Sequence, residues 1–520
     1  VVNVLLIDAR DINNLPETEN LGLSSIASYL RKNSVKVTTV TTNSVNVPED
    51  EIYSIGSNYD IFGIALFHNN TDFVYSLAKE IKKLKKNSLI VGGSRFATET
   101  ADRILNDCAD IDCIVLGDGE VPMLSIAEYF PDKTIIDTLP NVYTRSSKID
   151  KYPAKYSFSV EESIDHDYSI NTQGRPSAVA RIYSKRGCAC NCNFCLLAAQ
   201  SQKSLKKYRS RPVEDIFKEI KYLNTNHGFR SFMIHDCPFD DAGKAGIQKI
   251  QNFCDLFANY HMQLSFQCMI NGKFFDDKSL PLRKKMRKTG FTHVMFLLGA
   301  GNLDDEQIIK NQSNIQQKKR AIDLFKQNDI DIMLEFFCFN PFSTVKSWQE
   351  NIEFLNREKC YQLSYYINKV PIYSGTSLHL RCLEEDLLSG DYSYKNVFSY
   401  NFKEPCIQVI NAQVMDELRR SQLIADDRAF QNVIYLFNWL RGIFPESTSS
   451  IADEISLIKN ELFSTIASYF EELIETLFKG VDKERLNNFI NQMAAIYVKT
   501  RSLPTKLLRK NDIRTYLLRK

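Results

Sequence analysis

The sequence predicts an α/β protein in three parts: a doubly wound parallel sheet over residues 1–135, an open six-unit βα barrel over 178–390 and a helical region over 391–520. Three observations predict it. Short apolar runs alternate with helical stretches through the first third, a pattern that folds as a parallel sheet covered by helices. The same alternation restarts at Ala178 and repeats six times. After about residue 390 the strand-like runs stop and apolar residues follow a helical period.

In the first third, strands are predicted at 2–7, 35–41, 60–67, 88–93 and 112–120, with a helix opening at Gly22. A doubly wound sheet, Rossmann-like in plan, binds its ligands beyond the carboxyl ends of its strands. Those ends carry Asp8, His68-Asn69-Asn70, Gly92-Gly93-Ser94 and Gly117-Asp118-Gly119-Glu120, where glycines permit close backbone approach. Residues 136–177 lose periodicity and read as a connection that wraps one domain onto the next; they include Glu161-Glu162 and Asp165-His166-Asp167.

In the barrel, strands are predicted at 178–184, 229–236, 263–270, 292–298, 330–339 and 363–370. Parallel barrels do their chemistry at the carboxyl ends of the strands. The first strand delivers Cys188-Ala-Cys190-Asn-Cys192-Asn-Phe-Cys195, which reads as C-x3-C-x2-C with Cys188, Cys192 and Cys195 as ligands and Cys190 as a passenger. Three thiolates on one short loop hold three corners of a cubane iron–sulfur cluster and leave one iron for an outside ligand. Zinc asks for a further C-x2-C or H-x3-H pair, and none occurs. Cys237, Cys268 and Cys338 fall at or near three other strand ends, where a thiol would face the chemistry those ends carry. The competing reading is that they are small buried hydrophobes.

The cysteine loop, its Ser184-Lys185-Arg186-Gly187 lead-in and the aromatic Phe194 resemble the signature of radical S-adenosylmethionine (radical-SAM) enzymes. Gly22-Leu23…Ile26-Ala27, Val91-Gly92-Gly93 and Gly117-x-Gly119-Glu120 are similar to the cobalamin-binding half of the subfamily that adds such a domain. The resemblance covers roughly residues 1–390 and implies three cofactors: a [4Fe-4S] cluster, S-adenosylmethionine and cobalamin. For cobalamin it implies Gly22, Leu23, His68, Asn69, Gly92, Gly93, Ser94, Gly117, Gly119 and Glu120, with no D-x-H-x-x-G motif to supply an axial histidine. For S-adenosylmethionine it implies Phe194, Asp236 at the second strand end, Gly301 in Gly299-Ala300-Gly301, and Asn340 in Asn340-Pro-Phe-Ser-Thr344. The acid that usually closes the fourth strand is replaced by Gly299-Ala300-Gly301, and no G-G-E triplet follows the second strand.

The expected activity is methylation of an unactivated carbon on a peptide or natural-product substrate. It would be initiated by a 5′-deoxyadenosyl radical and fed by an external electron donor of flavodoxin or ferredoxin type. The alternative is a peptide-modifying or ring-forming radical-SAM enzyme without methyl transfer; a third reading is a non-catalytic iron–sulfur protein. The net charge of +2 offers no argument for nucleic acid, and no run of 18 apolar residues predicts a membrane span. The basic last stretch, 501–520, reads as a solvated helix. The opening reads as a strand, not as a signal peptide, and thirteen cysteines at scattered spacings predict a reducing, cytoplasmic setting.

Overall fold

The apolar run at the start of the chain forms β1 (Asn3–Arg10), the second strand of a six-stranded sheet. It continues with β2 (Lys36–Asn43), β3 (Ile61–Ala65), β4 (Leu89–Gly93), β5 (Cys113–Val115) and β6 (Val142–Thr144), in the order β2-β1-β3-β4-β5-β6. All pairs are parallel except β5–β6. The computed structural model describes residues 2–10, 19–43, 58–146, 166, 179–204, 208–236, 238–240, 243–272, 275–309, 315–390, 397–476 and 482–518. Cys237, Glu161, Glu162, Asp165 and Asp167 lie outside them.

Helices α1 (Leu21–Lys32), α2 (Thr71–Leu84), α3 (Arg95–Asp107) and α4 (Glu120–Tyr129) cover this sheet. Two separate apolar cores result, one on each face. Covering on both faces explains why β3 is an unbroken apolar run with every residue buried. Asn20 caps α1 by accepting from the Leu23 N–H at 3.3 Å, and Ser94 caps α3 by accepting from Ala97 at 3.0 Å.

The second sheet is built from β7 (Val179–Ile182), β10 (Ser231–Ile234), β11 (Ser265–Ile270), β12 (Phe291–Gly299) and β13 (Asp331–Phe336). It is fully parallel, in the order β13-β12-β11-β10-β7. Between β7 and β10 a small antiparallel ladder pairs β8 (Lys185–Gly187) with β9 (Tyr208–Ser210). The crossovers are α5 (Leu196–Lys203), α6 (Val213–His227), α7 (Lys244–Phe257), α8 (Leu280–Thr289), α9 (Leu303–Ile309) and α10 (Ile315–Lys326). After β13 come α11 (Val345–Arg357), α12 (Leu363–Ile367) and α13 (Ser377–Glu384).

The expected sixth strand at 363–370 is not there. Leu363–Ile367 is helical, and Lys369 alone makes a parallel bridge with Phe339. A short apolar run buried on all sides carries no period that separates strand from helix. Burial decides it here: the Leu334 N–H donates to the Tyr365 hydroxyl at 2.9 Å, tying the helix onto β13.

Strand pairing runs past residue 390, since Leu388–Ser389 pairs antiparallel with Ser399–Tyr400. Beyond it α14 (Gln422–Ile443), α15 (Pro445–Glu475) and α16 (Lys483–Thr500) form the helical region. The helical period near 454–478 belongs to α15, and the expected helix at 482–497 is α16, capped by Asp482. These helices share one hydrophobic core with the second sheet, from Ala180 to Tyr516.

Candidate functional site

The cysteine loop leaves the carboxyl end of β7 through β8 and is pinned by backbone contacts. The Asn193 N–H donates to the Ile309 carbonyl at 3.0 Å, its side chain donates to Ile308 at 2.8 Å, and its carbonyl accepts from Leu378 at 3.0 Å. The Cys188 N–H donates to Ser201 Oγ at 3.0 Å, and Cys195 opens α5. Phe194 stands edge-on to Phe337, just past β13, with ring centroids 5.0 Å apart.

The three thiols act on one another. Hydrogen bonds from the Cys190 side chain and backbone, aided by the Lys185 and Arg95 charges, pull Cys188 down to about 6 against its burial. Burial pushes Cys192 up to about 12, with the Cys195 and Cys188 charges adding to it, and burial likewise raises Cys195. Such thiols ionise together only when cationic metal neutralises them. Among the described residues, no three His, Cys, Asp or Glu side chains surround a single-ion position. A cubane takes its three thiolates at separate corners, so Cys188, Cys192 and Cys195 fit a cluster as a donor set.

Behind this loop lies a charge cluster that no motif announces. Fully buried Lys318 donates to Glu306 Oε1 and to the Leu298 carbonyl, both at 3.0 Å. Burial lifts Glu306 to about 7 despite that partner. Burial also raises Glu335, at the carboxyl end of β13, opposed by the Lys318 charge. Glu335 would have been visible as the polar break in the run Ile330-Asp-Ile-Met-Leu-Glu335-Phe.

The other expected S-adenosylmethionine residues have structural partners. Asp236 accepts from the Ser184 N–H at 2.8 Å and from its hydroxyl, while Lys249 donates to Ser184 Oγ at 2.7 Å. That buried network braces the lead-in to the cysteines. Asn340 donates to Asp305 at 2.6 Å, and the Gly301 N–H donates to Asn351 at 2.7 Å. A Cβ on Gly301 would meet Phe354 at 2.7 Å, so this glycine is required by packing. Cys268 and Cys338 sit in the sealed core, 1% and 0% exposed. Burial keeps both as thiols, as the reading of small buried hydrophobes expects.

In the N-terminal sheet the expected cofactor residues divide. Gly117 has φ +75° with nothing within 4 Å of a Cβ position, and Gly93 meets nothing closer than 4.0 Å. Gly22 is exposed in the first turn of α1 beside Leu23, and Asn69 is exposed past β3. These openings at the strand ends fit a large flat group such as a corrin. His68 stands edge-on to Phe96 and to Tyr373 of the second domain, with ring centroids 6.1 and 6.0 Å away. Ser94 is used as the cap of α3.

Gly92, Gly119 and Glu120 have other duties. A Cβ on Gly92 would meet Ile114 at 2.7 Å, and one on Gly119 would meet Ile26 at 2.6 Å. Glu120 is buried and accepts from Arg186 Nη2 and Ser25 Oγ, both at 2.5 Å, and from Arg186 Nη1 at 3.1 Å. Arg186 and Arg209 also reach Asp118 at 3.1 and 2.6 Å, and they hold its carboxyl below the usual range although burial opposes them. The loop after β5 is therefore clamped to the β8–β9 ladder, two residues before Cys188.

Residues 13–127 match the family of B12-binding domains. Across the chain, an uncharacterized methyltransferase of Pyrococcus horikoshii is 22% identical over 379 residues, 71% of this chain and 79% of its own length. The anaerobic magnesium-protoporphyrin IX monomethyl ester cyclase of Cereibacter sphaeroides is 25% identical over 48% of this chain and 41% of its own length. Among solved structures, the cobalamin-dependent S-adenosylmethionine radical enzyme OxsB with aqua-cobalamin bound superposes over 99% of this chain and 83% of its own, at TM-score 0.73 and 14% identity. The resemblance drawn from the sequence holds: the N-terminal sheet matches the B12-binding domain, and the whole chain has the fold of a cobalamin-dependent radical-SAM enzyme. That likeness extends through the C-terminal helices, beyond the first 390 residues. Its homologues include methyltransferases, and no helix among the described residues is long and apolar enough to cross a membrane.

Proposed function

We propose that this chain is a cobalamin-dependent radical-SAM enzyme that methylates an unactivated carbon of a small-molecule substrate, such as a natural-product intermediate. The observation that carries the reading is the clamp of Arg186 on Asp118 and Glu120, which joins the β5 strand end to the cysteine loop. When bound, a cluster on Cys188, Cys192 and Cys195 would supply the electron that splits S-adenosylmethionine to methionine and a 5′-deoxyadenosyl radical, and cobalamin would supply a methyl group. The chain's own residues orient and enclose these groups. Asn193 and Ser201 fix the cysteine loop, Phe194 and Phe337 wall it, and Gly93 and Gly117 leave room at the opposite strand ends. An external flavodoxin- or ferredoxin-type donor would deliver the electron, in the reducing cytoplasm that the twelve free cysteines among the described residues suit.

A second reading, ring formation without methyl transfer, is favoured by the likeness to the Cereibacter sphaeroides cyclase. One anaerobic assay separates the two. With S-adenosylmethionine and a reductant, methyl transfer predicts 5′-deoxyadenosine together with S-adenosylhomocysteine that depends on added methylcobalamin. Deoxyadenosine alone, indifferent to cobalamin, would overturn the methyltransferase reading.

A further inference from the structure

The nine methionines sort by position in the fold. Met123, Met286, Met415 and Met493 are sealed in hydrophobic cores, and Met262 is exposed. The other four, Met233, Met269, Met295 and Met333, are half-buried and stand on four adjacent strands, β10 to β13. Met269 pairs with Met295 and Met295 with Met333, while Met233 lies beside Gln267, two residues below Met269. Because side chains alternate along a strand, these four project from one face. Their neighbours Ile234, Cys268, Phe296 and Leu334 point the other way, into the core shared with the helices. None of the four methionines belongs to that core.

The same face is closed below. Gln267, His293 and Asp331 sit one level nearer the strand starts and are taken up by the C-terminal helices. Tyr435 of α14 donates to Gln267, His293 meets the Trp439 ring at 4.8 Å, and Asp331 accepts from Asn438 at 3.1 Å. One level above, Glu335 pairs in register with Leu297, faces the same way and has no hydrogen bond or ion pair among the described residues. His235 stands exposed at the rim, where desolvation of its ring and the Arg181 and Arg95 charges lower it below the ordinary imidazole value.

We propose that these four thioethers line the substrate chamber, that Tyr435 and Gln267 form its floor, and that it takes the uncharged, hydrocarbon-rich part of a small-molecule substrate. This deepens the proposed function and rests on it. Thioethers offer an apolar, polarisable and adaptable wall. A charged group placed level with Met269, Met295 and Met333 would be buried without a partner, which is costly; the Arg181 charge lies one level lower on the same face, in register with Met233. Polar parts of the substrate stay at the rim, beside Glu335 and His235.

The test uses the full chain labelled with [methyl-13C]methionine, each signal assigned by a single Met→Leu substitution. The probes are a series of linear 1-alkanols and, for contrast, deoxyadenosine 5′-phosphate. The alkanols are expected to shift the Met233, Met269, Met295 and Met333 signals saturably and to spare the other five. Affinity should rise about fourfold per methylene until the chain meets the floor, and Tyr435→Ala should move that plateau to longer alcohols. The unshifted core signals report that each variant is folded. Shifts confined to Met262, shifts spread evenly over all nine, a plateau indifferent to Tyr435→Ala, or stronger perturbation of the four by the nucleotide would each overturn the proposal. Alkanol binding without any deoxyadenosine production leaves the chamber standing and removes the functional reading; production without these shifts does the reverse.

Discussion

Arg186, two residues before the first cluster cysteine, spans both oxygens of Glu120 on the B12-binding-type sheet, at 2.5 and 3.1 Å. This bidentate pair ties the loop that would carry the cluster to the loop that opens beside the cobalamin strand ends. Its acid is buried, so removing the arginine strands a charge that water cannot reach, while removing the acid breaks the two-oxygen pair and leaves the arginine its contact with Asp118.

Glu120→Gln is therefore expected to weaken the docking of the two sheets. The loss should be about 3 kcal/mol, read from urea unfolding followed by tryptophan fluorescence; both tryptophans, Trp348 and Trp439, lie in the core of the second domain and the C-terminal helices. Arg186→Lys should lose a comparable amount, because an ammonium cannot match the two-oxygen geometry. An unchanged midpoint in both variants would show that the clamp contributes nothing.

His166 supplies a second tie. Its ring contacts Glu19 at 2.7 Å and Glu219 at 2.9 Å, and Arg211 also grips Glu219. Burial alone would lower the imidazole, but the two carboxylates outweigh it and lift it to about 10. A folded value above the unfolded one, about 6.5, gives stability that is complete below pH 6.5 and is lost as the pH rises through 10. Wild type should thus lose stability relative to His166→Gln between pH 7 and pH 10, measured by denaturant midpoints. A difference that stays flat across that window would contradict the assignment.

Lys318 neutralises Glu306 in the interior behind the cysteine loop. Lys318→Met should cost roughly 3–5 kcal/mol, since it leaves a buried carboxylate unpaired. The double change with Glu306→Leu should recover most of that loss, because an apolar pair of similar volume is often neutral. Thermal melts of the two variants test this; no recovery would place the cost in packing rather than charge.

Gly117 holds a left-handed backbone with open space around its Cβ position. Gly117→Val should cost about 1–2 kcal/mol in backbone strain and fill the opening at the β5 strand end. Cobalamin affinity, followed by absorbance titration, should fall sharply while iron incorporation is unaffected. Wild-type affinity in this variant would move the cobalamin site away from β5.

Much of the fold was legible because strand periodicity and turn residues agree with it. The five parallel strands of the N-terminal sheet begin within two residues of their expected starts. The missing sixth barrel strand was not legible, because Leu363–Ile367 is short and buried at Leu363, Tyr365, Tyr366 and Ile367, which leaves no period to separate strand from helix. A candidate site can be read from sequence where chemistry is local, as in the cysteine loop, whose three proposed ligands lie within eight residues. It was misread where a distant residue decides a side chain's direction. Glu120 looks like a ligand at a strand end until Arg186, 66 positions away, takes it up. Gly92 and Gly119 look like a cradle but make room for Ile114 and Ile26. Lys318 and the four half-buried strand methionines carry no motif, and only strand register brings the methionines together.

The central claim is that Cys188, Cys192 and Cys195 hold a cluster that meets S-adenosylmethionine, with Cys190 uninvolved. Electron paramagnetic resonance of the anaerobically reconstituted, reduced protein tests it most directly, with and without S-adenosylmethionine, in wild type and in Cys188→Ala, Cys190→Ala, Cys192→Ala and Cys195→Ala. The account predicts a [4Fe-4S] signal that changes when S-adenosylmethionine is added, persists in Cys190→Ala and is lost in the other three variants. A signal lost with Cys190 and kept without Cys192, or one indifferent to S-adenosylmethionine, would contradict it.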